Sequence, residues 1–182
     1  HFLMLAKLGS PVVATSGNLA DEPMCIDEKE AINILEFVDA LLVHDRPIVR
    51  HADDSVARVV DGQIVMLRRA RGYAPLPFSA GQILPSMLAT GGDLKSTIAI
   101  SHRDCVVMSQ HIGDLEASEA FDAFQRVITD FEKLFSWKPE MVVTDMHPSY
   151  FSHRYAHSLA EAANIPLVEV QHHHAHMAAC MF

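Results

Sequence analysis

Four histidines fall within five positions of the run Gln171-His172-His173-His174-Ala175-His176, the densest collection of metal-ligating side chains in the sequence. A neutral imidazole nitrogen binds zinc and similar cations, and on a helix two histidines four positions apart share a face. His172 and His176 meet that condition, whereas His173 and His174 point elsewhere. Two ligands make half a site. The hydrolytic zinc motif of the same spacing needs glutamate directly after the first histidine as general base, and His173 stands there instead, which disfavours peptide hydrolysis. A polar surface patch or an expression tag is the plainer reading of such a run. A tag, however, does not sit between an apolar strand, Pro166 to Val170, and an apolar helix that continues through Met177, Ala178 and Ala179.

Three other stretches carry polar chemistry at the ends of apolar runs. Thr90-Gly91-Gly92-Asp93-Leu94-Lys95-Ser96-Thr97 combines two glycines, an acid, a lysine and hydroxyls, a mixture that can cradle phosphate oxygens with backbone N–H groups or simply turn the chain before a strand. Ser109-Gln110-His111-Ile112-Gly113-Asp114-Leu115 ends a strand where α/β sheets usually hold their active sites, although a lone His111 is more often a hydrogen-bonded core residue. From these two stretches Lys95, His111 and Asp114 are the candidate catalytic side chains. Thr15-Ser16-Gly17-Asn18 follows the apolar Val12-Val13-Ala14 and is either a nucleotide-holding turn or an ordinary one. Arg46, Arg50, Arg58, Arg68, Arg69 and Arg71 are concentrated in one short span, and their forked guanidinium groups suit a triphosphate. Asp53-Asp54-Ser55 lies among them, to hold magnesium or to balance the arginines.

The elements that must position these residues can be read from periodicity. Asp27-Glu28-Lys29-Glu30 has the form of a capping box ahead of a short helix bearing Ile34, Leu35 and Val38. Leu41-Leu42-Val43 is a strand candidate, and Val56 to Val60 with Ile64 to Leu67 flank Asp61-Gly62 as a hairpin does. Arg71 to Gly81, with two prolines and two glycines, excludes a continuous helix or a central strand and marks the best domain boundary. Beyond it the spacing predicts a hairpin of Thr97 to Ser101 and Cys105 to Ser109. A helix follows, starting near Ser118 and carrying Phe121, Phe124, Val127, Ile128, Phe131, Leu134 and Phe135. After that come a buried strand at Met141 to Asp145, a helix at Ser152 to Ala163 and a strand at Pro166 to Val170. This order predicts an α/β fold with a mixed sheet.

Composition sets outer bounds. The chain has 182 residues, 49% of them apolar, enough to bury a core, and no run has the apolar length needed to cross a bilayer. Three widely spaced cysteines, Cys25, Cys105 and Cys180, do not describe a disulfide framework, so a cytoplasmic location with reduced thiols is expected. A formal charge of −9 disfavours generic nucleic-acid binding. Because it starts on histidine and ends inside an apolar stretch, the sequence is expected to be cut at both ends.

Thr15-Ser16-Gly17-Asn18, Asp53-Asp54-Ser55-Val56 and Leu67-Arg68-Arg69-Ala70-Arg71-Gly72-Tyr73-Ala74-Pro75 together resemble the later part of the YrdC-like module of the HypF carbamoyltransferases of [NiFe]-hydrogenase maturation. Gly91-Gly92-Asp93-Leu94-Lys95, Ser109 to Leu115, Asp145-Met146-His147-Pro148-Ser149-Tyr150 and the histidine run resemble the start of that family's second catalytic domain. The resemblance implies an incomplete α+β YrdC-like part over residues 1–78 and a linker at 79–82. It also implies an incomplete actin/Hsp70/sugar-kinase-like α/β part over 83–182, similar to the threonylcarbamoyl transferases that modify tRNA. It implies that carbamoyl phosphate and ATP, with Mg2+, give carbamoyl adenylate, whose carbamoyl group passes to a carboxyl-terminal cysteine of HypE and is dehydrated to cyanide. By the same resemblance Ser16, Asn18, Ser55 and Arg69 hold ATP or its phosphates, and Asp93, Lys95 and Thr97 face the nucleotide or acyl adenylate. His172 and His176 bind Zn2+ or Fe2+, the third ligand being an acid beyond Phe182, so that this segment alone is inactive. Two other readings stay open: a fused tRNA threonylcarbamoylation enzyme, and a non-catalytic metal- or nucleotide-binding scaffold.

Overall fold

The recurrence of apolar residues at three and four positions from Phe121 onward produces the longest helix, α3 (Ser118–Leu134), whose buried face is Ala120, Ala123, Phe124, Val127, Ile128 and Phe131. A computed structural model describes residues 2–19 and 22–181. Phe124 and Phe131 are wholly enclosed, each burial contributing roughly 1.5–3 kcal/mol. They lie on a six-stranded sheet of order β3-β6-β5-β4-β7-β8, built from β3 (Pro77–Ser79), β4 (Met87–Ala89), β5 (Ala99–His102), β6 (Cys105–Met108), β7 (Met141–Asp145) and β8 (Leu167–Val170).

The β4–β7 and β7–β8 pairs are parallel and the others antiparallel, which is the mixed sheet the sequence implied. Register explains the core. Val107 pairs with Ile100, Ile100 with Leu88, Leu88 with Val142, and Val142 with Leu167, so one row of β-branched and leucine side chains crosses five strands on a single face. Helix α4 (Phe151–Ala163) returns the chain between the parallel strands β7 and β8 and buries Ala156 and Ala160 against Val142. Tyr155 of α4 meets the Phe124 ring edge-on, centroids 5.3 Å apart, which places α3 and α4 side by side over the sheet.

The first third is a smaller α+β part. Asp27 caps α2 (Glu28–Ile34), its carboxylate accepting from the Lys29 and Glu30 N–H groups. The helix stops at Ile34, so Val38 lies beyond it. β1 (Val56–Val60) and β2 (Gln63–Arg68) form the expected hairpin, and Asp61 and Gly62 take the positive φ values, 50° and 74°, that a type I′ turn requires. Four features differ from the sequence reading. Leu41 to Val43 is not a strand, because no partner strand pairs with it among the described residues. Helix α1 (Phe2–Leu8) had no cap or periodic signal. Residues within Arg71 to Gly81 form β3, which is possible because Pro77 lies at the sheet edge, where a missing N–H is tolerated. β4 is too short, at three residues, to show a period. No helix among the described residues is long and apolar enough to cross a membrane.

Candidate functional site

Parallel pairing of β7 with β8 sets Asp145 opposite Val170, and the chain then turns at Gln171 into α5 (His172–Ala179). Gln171 caps this helix, its side-chain oxygen accepting from the His174 N–H. The strand end and the helix start thereby bring an acid and a histidine together. His172 Nδ1 lies 2.5 Å from Asp145 Oδ2. The carboxylate accepts, so Nδ1 carries a proton and Nε2 is the nitrogen that the neutral ring offers to a metal. One turn on, His176 Nε2 faces His172 Nε2 at 3.0 Å. Two nitrogens each about 2.05 Å from a tetrahedral ion stand roughly 3.3 Å apart. A pair of imidazole nitrogens, one of them oriented by a carboxylate, is a donor set suited to Zn2+ or Fe2+. His173 is directed differently, its Nδ1 bonded to Gln171 Nε2 at 2.7 Å.

The glycine loop forms the opposite wall. A Cβ on Gly92 would stand 3.8 Å from the His172 ring, and a cleft of about 300 Å³ is lined by Gly91, Gly92, Thr144, Asp145, His172 and His176. Gly91 has φ +68° and a Cβ there would lie 2.8 Å from the Thr97 carbonyl oxygen, so only glycine fits. Asp93 holds the loop. It is 6% exposed, and its carboxylate accepts from the Phe151 N–H at 2.8 Å and from the Ser152 N–H and Oγ, each at 3.0 Å. These are unsatisfied donors of the first turn of α4, so Asp93 caps that helix from a distant element. Asp93 thus serves as a cap of α4, with both of its oxygens engaged at that terminus.

A second cleft, of about 560 Å³, gathers Ser16 and Asn18 from the first part with Lys95, His111 and Asp114 from the second. An adjoining cleft of about 520 Å³ takes in Arg69 and Thr97 and shares Arg68, Lys95 and His111. His111 Nδ1 donates to Asp53 Oδ2 at 3.0 Å, with Arg68 3.9 Å from the same oxygen. The His111 N–H donates to the Arg69 carbonyl and Gln110 Nε2 to the His51 carbonyl, so the end of β6 is tied to the first part at three points. The bond from His111, with the nearby Arg68 cation, holds the Asp53 carboxyl below its usual range against the opposing effect of burial. A depressed carboxyl adds stability that is present above its unfolded pKa and is lost as pH falls through the folded value. Asp53→Asn is therefore expected to cost about 1 kcal/mol at neutral pH, with the difference from the unaltered protein fading below about pH 4. Denaturation of both proteins from pH 7 down to pH 2 measures this, and a difference constant across the range contradicts it.

Two predicted nucleotide ligands take structural positions. Ser55 Oγ donates to the Arg71 carbonyl and accepts from the Ala70 N–H, both at 2.9 Å, which spends the hydroxyl on the backbone. Arg69 lines its cleft while its Nη2 donates to the Tyr73 and Leu76 carbonyls and its guanidinium lies 4.2 Å from the Phe78 ring centre. Burial pushes the Cys25 thiol up, away from the thiolate that a nucleophile needs, and the three cysteines are unpaired.

Residues 82–182 match a family described as the HypF Kae1-like domain, and residues 1–70 match a Sua5, YciO and YrdC family described as telomere recombination. The chain belongs to the HypF family. It is 45% identical to the carbamoyltransferase HypF of Synechocystis sp. over 100% of its own length and 23% of that protein. It is 35% identical to the probable carbamoyltransferase HypF of Methanocaldococcus jannaschii over 97% of its length and 23% of the relative. Among solved structures, full-length HypF in the phosphate- and nucleotide-bound form is similar with a TM-score of 0.85 at 43% identity, covering 92% of this chain and 26% of that one. HypF of T. kodakarensis gives 0.82 at 33% identity, covering 90% and 22%. The chain spans about a quarter of the length of the curated relatives it matches.

In this HypF-family chain Asp145 is a site residue to which sequence reasoning gave no role, and Asp53 one to which it gave a different role. Asp145 was visible only as an acid ending a strand. The signal that marks it is its register, since a parallel neighbour of the strand preceding the histidines must end beside them. Asp53 was read as a magnesium ligand or a counter-charge to arginine, and its closest partner is instead His111.

Proposed function

We propose that this chain belongs to an ATP-dependent carbamoyltransferase, with residues 1–78 serving adenylation and residues 83–182 serving transfer. Water hydrolyses carbamoyl phosphate to carbamate and inorganic phosphate, and a carbamate oxygen then attacks the α-phosphorus of ATP with Mg2+, forming the O–Pα bond as the bond from Pα to the pyrophosphate oxygen breaks. A cysteine thiolate of HypE then attacks the carbonyl carbon, forming the S–C bond as the C–O bond to AMP breaks. The reading is carried by one observation: His172 and His176 present Nε2 atoms 3.0 Å apart, with Asp145 behind His172, in a HypF-family chain.

The side chains divide the work. Lys95 and Arg68 supply cationic charge beside the cleft that holds Ser16 and Asn18, which suits nucleotide phosphates. The nucleotide-bound form of a similar HypF supports placing a nucleotide in this protein. Asp53 fixes the His111 ring, leaving Nε2 as an acceptor for a proton from the attacking or leaving group. Gly91 and Gly92 let an acyl adenylate approach the histidine pair closely. His172 and His176 would hold the Zn2+ or Fe2+ ion, which when bound supplies Lewis-acid polarisation of the acyl group. The acceptor thiol comes from the partner, consistent with the raised Cys25 thiol.

The protein at its natural length, given ATP and either carbamoyl phosphate or threonine with bicarbonate, tests the proposal through pyrophosphate release. Release with carbamoyl phosphate alone is expected. Release only with threonine would replace this reading with tRNA threonylcarbamoylation, and release with neither would favour a scaffold.

A further inference from the structure

Asp145 orients a second imidazole besides that of His172. Its backbone carbonyl accepts from His153 Nδ1 at 2.8 Å, and because a carbonyl cannot donate, Nδ1 carries a proton and Nε2 is the nitrogen that the neutral ring offers as a ligand. His157 follows one turn later on α4, the two rings 4.4 Å apart between centres. Glu169 on the neighbouring strand β8 completes the group, its Oε1 2.9 Å from His157 Nε2 and 3.7 Å from His153 Nε2. One potential ligand atom from each residue lies within 4.8 Å of the others. These contacts straddle the roughly 3.3 Å between neighbouring ligands of a tetrahedral ion.

The cluster differs from an ordinary surface ion pair. His153 Nε2 and Glu169 Oε1 stand 3.7 Å apart, too far for a hydrogen bond and far enough for one cation to bind both. Burial decides which ligands are fixed. The His153 side chain is 11% exposed and anchored by the strand, whereas His157 at 50% and Glu169 at 40% open to solvent, leaving room for a water as fourth ligand. We propose that His153, His157 and Glu169 form a second site for a divalent transition cation of the zinc class, separate from His172 and His176. Two imidazoles exclude a preference for Mg2+ or Ca2+, which take oxygen ligands.

The test uses the protein at its natural length carrying His172→Ala and His176→Ala, so that the other histidine pair cannot contribute. Co2+ titration followed by its tetrahedral absorption, with Zn2+ competition, is compared before and after adding His157→Ala or, separately, Glu169→Gln. Both added changes are at exposed positions, and circular dichroism checks that each variant is folded. The expected result is loss of one bound cation, or at least about a tenfold weaker affinity, in both variants, with no competition from excess Mg2+. Binding of the same number of cations with unchanged affinity in both variants would overturn the site, as would the absence of any Co2+ signal that either change removes.

Discussion

Replacing His172 and His176 together with alanine is expected to lower carbamoyl transfer to an acceptor thiol by roughly 10²–10³-fold, or about 2.7–4 kcal/mol of transition-state stabilisation. Adenylation, read as pyrophosphate release that depends on carbamoyl phosphate, is expected to stay within about twofold. The split follows from geometry, because the histidine pair lines the cleft with Gly91, Gly92 and Asp145, whereas Ser16, Asn18, Lys95 and His111 line another. Asp145→Asn grades the effect. It leaves both imidazoles but replaces the acceptor that keeps the His172 proton on Nδ1, so metal affinity is expected to drop about 10–100-fold and to recover with added metal. The double alanine variant has no ligands to refill and is expected not to recover. Equal loss of both half-reactions would place the histidines in a common structural role, contrary to this account.

Asp93→Ala is expected to destabilise the fold by about 3 kcal/mol, measured as a lower midpoint of urea denaturation. Three donors converge on this carboxylate, two of them backbone N–H groups at the start of α4. Hydrogen bonds to a charged group contribute about 1.5–3 kcal/mol, and a charge at a helix N-terminus adds up to about 2 kcal/mol when partly buried. Removing it leaves those donors buried without partners, since Ser152 is wholly enclosed. Asp93→Asn keeps one acceptor oxygen and is expected to lose about half as much. An alanine variant within about 0.5 kcal/mol of the unaltered protein would contradict the capping role.

The same residues show what sequence could disclose and what it could not. Helix α3 was legible because its buried face repeats at helical period for 17 residues, and the β1–β2 hairpin because Asp61-Gly62 is chemically suited to positive φ. The i, i+4 spacing of His172 and His176 was legible for a similar reason: local geometry alone brings them together. The capping role of Asp93 was hidden because its partners, Phe151 and Ser152, are 58 and 59 positions away, and a carboxylate beside two glycines looks the same in sequence whether it faces a phosphate or a helix terminus. The Ser55 contacts were hidden for the same reason, with its backbone partners 15 and 16 positions on. Strands β3 and β4, three residues each, were hidden because no period can develop over so short a length. His153, His157 and Glu169 lie on two elements that only the β7–α4–β8 crossover unites.

The measurement that bears most directly on the central claim is mass spectrometry of HypE after incubation with the natural-length protein, ATP and carbamoyl phosphate. The account predicts an S-carbamoyl group on the carboxyl-terminal cysteine of HypE, dependent on both small molecules and absent with the His172→Ala, His176→Ala variant. An unmodified HypE cysteine, with threonylcarbamoyl groups appearing on tRNA when threonine and bicarbonate are supplied, would contradict it.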